Sequence, residues 1–274
     1  MPDLALVDTH VHVVSPDEER YPLDPSASMS AVTGEWYRTH PVSVEKLLQE
    51  MDEAGVARAV LVQAVSAYQW DNSYAADSAR RFPDRLSSVA AIDMAGDNPA
   101  GAARAAVVRD GIRGIRWFAV HGAGALDQPR AVWDTAHELG APVVMTILSD
   151  RLDELANTLA VAPPVQVALD HCAFADFSKG VPDDLAELAG FPNLSLKVST
   201  ITLDMMGEHG DIADGVAELA AVFGADRMMW GSDYSQTHGR PYHELAAYAR
   251  VAAEKVSDDA RDQFLAGTAS TQWW

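Results

Sequence analysis

Short apolar runs alternate with amphipathic stretches along the whole chain. Leu4 to Val7 reads as a buried strand, followed by a polar loop rich in Pro and Ser that runs to Pro41. Val44, Leu47, Leu48 and Met51 fall at helical spacing and predict a helix from Val44, with Gly55 as its stop. Ala59 to Val62 is the next predicted strand. The same alternation predicts helices near Ser73 to Arg81 and Ala100 to Val108, and strands around Leu86 to Ile92 and Ile112 to Phe118. Asp127 and Pro129 are expected to cap and open a helix ending near Gly140. Further strands are predicted at Pro142 to Ile147, Val165 to Leu169, Leu194 to Val198 and Arg227 to Trp230, with Ser149 capping the helix after the first of these. The C-terminal part reads as helical from Tyr242 to about Val256 and, with Ser257 as cap, from Asp258 to about Leu265.

Eight strand–helix units in this length are what a single (β/α)8 barrel requires, here one domain over residues 1–274. A doubly wound open sheet is the competing architecture. It would want a Gly-rich phosphate loop after the first strand, and none is present. There is no repeat of 20–50 residues and no interdomain linker.

Composition changes this picture only by exclusion. Hydrophobic residues make up 48% of the chain and charged residues 22%, enough apolar side chains for a sizeable core. The formal net charge is −20, from 40 acidic against 20 basic side chains, which repels phosphate backbones and anionic membranes. No nucleic-acid or membrane partner is expected. The first dozen residues lack the basic and apolar blocks of a signal peptide, and no run of 18 apolar residues predicts a membrane span. Cys172 is the single cysteine, so no intramolecular disulfide forms. The expected compartment is the cytoplasm.

The chemistry-bearing residues sit at predicted strand ends. Asp8-Thr9-His10-Val11-His12 closes the first strand, and alternation puts His10 and His12 on one face. A His-x-His pair alone is a weak signal, but barrel active sites lie at the C-terminal ends of strands. Leu169-Asp170-His171 closes the sixth strand and Trp230-Gly231-Ser232-Asp233 the eighth. Alone, His171 reads as an ordinary polar residue and Asp233 as a helix cap. Together, His10, His12, His171 and Asp233 converge on one mouth. Such a set suits one divalent metal ion, zinc first by ligand type, or general-base catalysis without a metal.

On these motifs the chain is similar to the amidohydrolase superfamily, in its amidohydrolase-related branch. The pieces are DTHVH at 8–12, RYPL at 20–23, GVARAVLVQ at 55–63, Tyr68 with Asp71-Asn72, GIRGIRWF at 111–118, LDH at 169–171, LSLKVS at 194–199 and WGSDY at 230–234. Within that branch it most resembles lactonases such as those of 2-pyrone-4,6-dicarboxylate, of sugar acids and of sulfomuconate. The resemblance implies that His10, His12 and His171 are the barrel histidines and Asp233 the aspartate that activates water. It also implies that Arg116 and Lys197 face substrate. Two departures stand out. Val143-Val144-Met145-Thr146 carries no strand-five histidine, so the usual metal set is incomplete, which fits a branch thought to work without an essential metal. Phe174 stands where the pyrone dicarboxylate lactonases carry an arginine, which argues against a dicarboxylate.

Other residues read as follows. Tyr68 and His238 are candidate substrate contacts, and His121 and Arg240 lie on loops near the mouth. Trp36, Tyr37 and Trp70 could wall a pocket or pack their loops. Cys172 is expected to be an inert buried thiol, and Trp273-Trp274 to dock on an apolar surface, as in a subunit contact of a homo-oligomer. The expected activity is hydrolytic opening of a carboxylate-bearing lactone or related cyclic ester. The alternatives are a metal-dependent decarboxylase or hydratase of aromatic or muconic acids, and a non-catalytic barrel that binds a small acid.

Overall fold

Strands built from Val, Leu, Ala and Met are apolar on both faces and must be covered on both, which a closed parallel barrel ringed by helices achieves. The computed structural model describes residues 5–26, 34–120 and 124–274. Its eight strands are β1 (Leu6–Val11), β2 (Val56–Val62), β3 (Leu86–Ala91), β4 (Gly114–Phe118), β5 (Val143–Thr146), β6 (Val167–Leu169), β7 (Leu194–Ser199) and β8 (Met228–Gly231). Each pairs in parallel with the next in chain order. The seam between β8 and β1 is closed just past the strand ends. There Asp233 N–H donates to His10 O (2.8 Å) and His12 N–H to Tyr234 O (2.5 Å). The chain is therefore a single (β/α)8 barrel.

The covering helices include α1 (Val44–Ala54), α2 (Ser73–Arg81), α3 (Pro99–Val108), α4 (Arg130–Leu139), α5 (Leu152–Val161), α6 (Asp183–Glu187), α7 (Thr200–Gly207), α8 (Ile212–Phe223), α9 (Tyr242–Ala252) and α10 (Thr268–Trp273). Val44, Leu47 and Met51 are the buried face of α1, and Ser43 caps it by accepting from Lys46 N–H. Ser257 caps the C-terminal segment as expected, accepting from Ala260 N–H.

Several boundaries differ from the sequence reading. β1 runs through the polar Asp8-Thr9-His10 triplet, where Thr9 O–H donates to Trp230 O (2.7 Å) and Asp8 accepts from Ser232 N–H and Tyr242 O–H. The residue at the N-cap of α4 is Pro129, not Asp127, and no side chain caps that end. Ser149 opens a short 3-10 turn ahead of α5 and makes no cap bond. The loop before Pro41 holds a helical turn, Trp36–Thr39, that buries Trp36 and Tyr37.

The lower barrel interior is filled by Val7, Val60, Val62, Val89, Val144, Ala168 and Met229, closed from below by Trp273. Trp273 is 1% exposed and docks inside the chain's own barrel, so it offers no surface for the expected subunit contact. Its ring requires a glycine opposite, since a Cβ on Gly114 would come within 2.8 Å of it. No helix among the described residues is long and apolar enough to cross a membrane.

Candidate active site

The site begins with the seam between β1 and β8. The pairing register of β1 shifts between Asp8 and Val11. That irregularity lets Val7 belong to the lower interior while His10 and His12 face the same interior higher up. Asp8 fixes the arrangement. It accepts from His10 N–H (3.0 Å), Ser232 N–H (2.9 Å) and Tyr242 O–H (2.9 Å), tying β1 to the end of β8 and to α9. Burial pushes its carboxyl up to about 6. Gly231 lies against His10, and a Cβ there would sit 2.8 Å from the His10 Cβ.

Asp170 occupies the centre of the barrel. One strand step beyond the inward Ala168, it is fully buried and meets an imidazole, an ammonium and a guanidinium from three strands. Its Oδ1 lies 3.2 Å from His10 Nδ1 and 3.1 Å from Lys197 Nζ, and its Oδ2 lies 3.1 Å from Arg116 Nη2. Thr146 O–H donates to Oδ2 at 2.6 Å. Burial raises the Asp170 carboxyl, but Lys197, His10 and Arg116 outweigh it and hold the group well below the usual carboxylate range. Sequence reasoning missed this residue. Arg116 and Lys197, inward on β4 and β7, needed a counter-charge between them, and that requirement could have pointed to it.

His171 enters the interior by a different route from strand alternation. After β6 the chain turns through four left-handed residues, His171, Cys172, Ala173 and Phe174, with φ from 48 to 56°. None is glycine, so the turn is strained by roughly 1–2 kcal/mol per residue. It allows consecutive residues, Asp170 and His171, both to reach the site. Asp233 is also left-handed (φ 59°). Strained backbone at two site residues is what a functional constraint leaves behind. Cys172 in the same turn is fully buried, its thiol pushed up to about 12 by burial, and is inert.

Hydrogen bonds assign the imidazole tautomers. His12 Nδ1 lies 2.9 Å from Val62 O, a group that only accepts, so the proton is on Nδ1 and Nε2 is bare. That Nε2 faces Asp233 Oδ1 at 3.3 Å. His10 Nδ1 faces the Asp170 carboxylate, which places its proton there and leaves Nε2 bare, 3.5 Å from the same Asp233 oxygen. Burial holds His10 well below its ordinary pKa despite Asp170, so it is neutral. Asp233 Oδ2 accepts from Gln236 Nε2–H (3.1 Å) and Thr237 O–H (3.3 Å), which favours the ionised carboxylate. Neither His10 Nε2 nor Asp233 Oδ1 has a hydrogen-bond partner among the described residues. Three acceptor atoms converging without a proton between them fit a divalent cation. His10, His12 and Asp233 are spaced to hold one, with Asp170 and Val62 O as the groups behind that fix the ligands.

Above these groups opens a cavity of about 270 Å³ reached by His12, Arg116, Thr146, His171, Asp233 and Gln236. It meets the converging groups, whereas the other hollows described among these residues do not. A groove of about 530 Å³ elsewhere holds Arg20, Arg80 and Arg81, each paired with Asp77 or Glu45.

Three expected substrate contacts fall outside the cavity. Lys197 is fully buried beneath it, between Asp170 and the Trp273 ring, 5.6 Å from the ring centre. Tyr68 lies behind the wall, where its hydroxyl accepts from Ser15 N–H (2.8 Å) and anchors the loop after β1. His238 is exposed and stacks on His40, ring centres 4.0 Å apart. Arg116 does reach the cavity, but its guanidinium is committed to Asp170, Thr146 and Gln63 O. Arg240 pairs with Asp204, Trp36 walls the cavity beside His12, and His121 lies outside the described residues. Thr146 stands at the end of strand five, where no histidine was expected.

A parallel barrel whose polar groups gather at the C-terminal mouth is the architecture of a (β/α)8 enzyme. The amidohydrolase family model matches residues 7–271, and the chain belongs to that family. It is 28% identical to the L-fucono-1,5-lactonase of Burkholderia ambifaria, over 84% of this chain and 83% of that one. A putative 2-pyrone-4,6-dicarboxylic acid hydrolase from Pseudomonas putida shares the fold with a TM-score of 0.76 at 20% identity, over 98% of this chain and 97% of that one. A zinc-bound amidohydrolase from Burkholderia multivorans does so with a TM-score of 0.75 at 19% identity, over 97% and 98%.

Proposed function

We propose that the chain hydrolyses a lactone or related cyclic ester of a small organic acid, with Asp233 as the general base. The observation that supports this most directly is the ionised Asp233 at the cavity floor, facing two bare imidazole nitrogens at 3.3 and 3.5 Å. Asp233 takes a proton from water as the water attacks the carbonyl, then returns it to the ring oxygen when the ester C–O bond breaks. Ser199 holds His171 through Nδ1 (2.8 Å), so His171 presents its other nitrogen to the developing oxyanion. His10 and His12, with tautomers set by Asp170 and Val62 O, position Asp233. A divalent ion held by His10, His12 and Asp233, zinc by ligand type, would polarise the carbonyl and make water more acidic. The 28% identical lactonase adds support from relationship.

The decarboxylase alternative ranks below this. Members of that kind resemble sites with a strand-five histidine, and the residue here is Thr146, bonded to Asp170. The decisive experiment is metal analysis of the purified protein beside a lactone and ester panel, with and without chelator. We expect about one zinc per chain, hydrolysis of at least one lactone, and loss of turnover on chelation that zinc restores. An inert panel with carbon dioxide release from benzoates would replace the proposal with the decarboxylase.

A further inference from the structure

The cavity walls above the reacting groups are built of Trp36, Val65, Phe118, Val120, Phe174 and Ile201. We infer that the substrate is an uncharged lactone carrying an apolar, alkyl or aryl, substituent rather than a carboxylate-bearing or polyhydroxylated one. The inference rests on the lactonase reading and names the class of substrate for that site.

Charge is the first ground. Arg116 is the one Arg or Lys reaching the cavity among the described residues, and Asp170 Oδ2 already lies against the Nε–Nη2 edge of its guanidinium while Nη1 donates to Gln63 O. Lys197 lies below and is spent on the same carboxylate. Residues 27–33 and 121–123 contain no Arg or Lys either. Beneath the cavity, Arg116 and Lys197 balance Asp170 and Asp233, while Asp8, bonded to Ser232 and Tyr242, adds a further buried acid and no cation. A substrate carboxylate against the six apolar walls would therefore be desolvated without a partner, and buried charges are tolerated only when paired.

Hydroxyl matching is the second ground. Each ring hydroxyl of a sugar lactone needs its own partner once water is excluded. Beyond the reacting groups the polar lining is Ser66, Arg116, Thr146 and Gln236; Gln236 Nε2 already donates to Asp233 (3.1 Å), Thr146 O–H to Asp170 (2.6 Å), and Arg116 to Asp170 and Gln63 O. An alkyl or aryl group, by contrast, gains about 0.8 kcal/mol per buried methylene. Phe174, fixed by the strained turn after β6, stacks beside His171 with ring centres 4.8 Å apart and supplies part of this surface.

The test compares three δ-lactones sharing one ring, with a pentyl chain, with hydroxyls, and with a carboxylate, on the protein as purified. We expect kcat/KM for the pentyl lactone to exceed the other two by about 100-fold, the scale on which an apolar pocket rejects an added hydroxyl. Equal or higher kcat/KM on the carboxylate or hydroxylated lactone would overturn the inference while leaving the lactonase reading intact. If no lactone turns over, the lactonase reading fails. Calorimetric binding of the matching unreactive lactams then still decides the apolar preference, which is lost if the carboxylated lactam binds as tightly. Phe174→Arg should lower kcat/KM on the pentyl lactone about tenfold and raise it on the carboxylated one. Ile201→Arg serves the same purpose should the first variant not fold, and an unchanged preference in a folded variant counts against the inference.

Discussion

The barrel interior has two storeys built from the same strands. Below, Val7, Val144, Ala168 and Met229 pack on Trp273 with no charged atom among them. Above, two residues along three of those strands and three along β1, the positions are His10, Thr146, Asp170 and Gly231, with Asp233 just beyond. Burial does not separate the storeys, for every one of these residues is at most 3% exposed. What separates them is charge. The lower storey is apolar except for the indole N–H of Trp273, which also lacks a partner among the described residues. The upper holds two carboxylates, two cations and three imidazoles, and still leaves His10 Nε2 and Asp233 Oδ1 without partners. Buried polar atoms left bare mark a place shaped for something other than stability.

The comparison can be broken most severely at Asp233. Replacing it by Asn keeps the shape and removes the base, so kcat should fall about 10²–10⁴-fold while the melting temperature holds or rises. Near-wild-type turnover would sink the mechanism. Asp170→Asn attacks the layer that joins the storeys. It leaves Lys197 and Arg116 without their carboxylate, at a cost of about 3–5 kcal/mol in urea unfolding, and frees the His10 tautomer, so zinc affinity should drop as well. Unchanged stability would show that the two cations find other partners. The smallest effect is expected in the lower storey. Trp273→Phe removes a few buried atoms, worth about 1–2 kcal/mol, and kcat should stay within about threefold. A large loss of turnover would mean that the floor shapes the site through Lys197, which lies over the Trp273 ring.

Much of the barrel is legible in the sequence because its signal is local. The Val44, Leu47, Met51 stripe and the Val- and Leu-rich runs of β2 and β5 each reveal an element by composition and period. His10 and His12 are legible too, since one strand end carries both. Asp170 was not. Its role depends on Arg116 from β4 and Lys197 from β7, residues 54 and 27 positions away, and no local pattern reports such a meeting. The burial of Lys197 against Asp170 escapes local pattern for the same reason. Inward on a strand is readable, but height within the barrel is not, and one storey separates a substrate contact from a buried counter-ion. Tyr68 and His238 failed on loop geometry, which pattern does not fold.

The sequence alone determined the eightfold strand–helix alternation and the shared face of the two β1 imidazoles, because these follow from period and position. Tertiary structure decided which buried charges neutralise one another and which nitrogens stay bare. It also decided that apolar side chains from five different segments wall the cavity. Those outcomes depend on distances of a few ångströms between residues remote in the chain, and only closure of the barrel sets them.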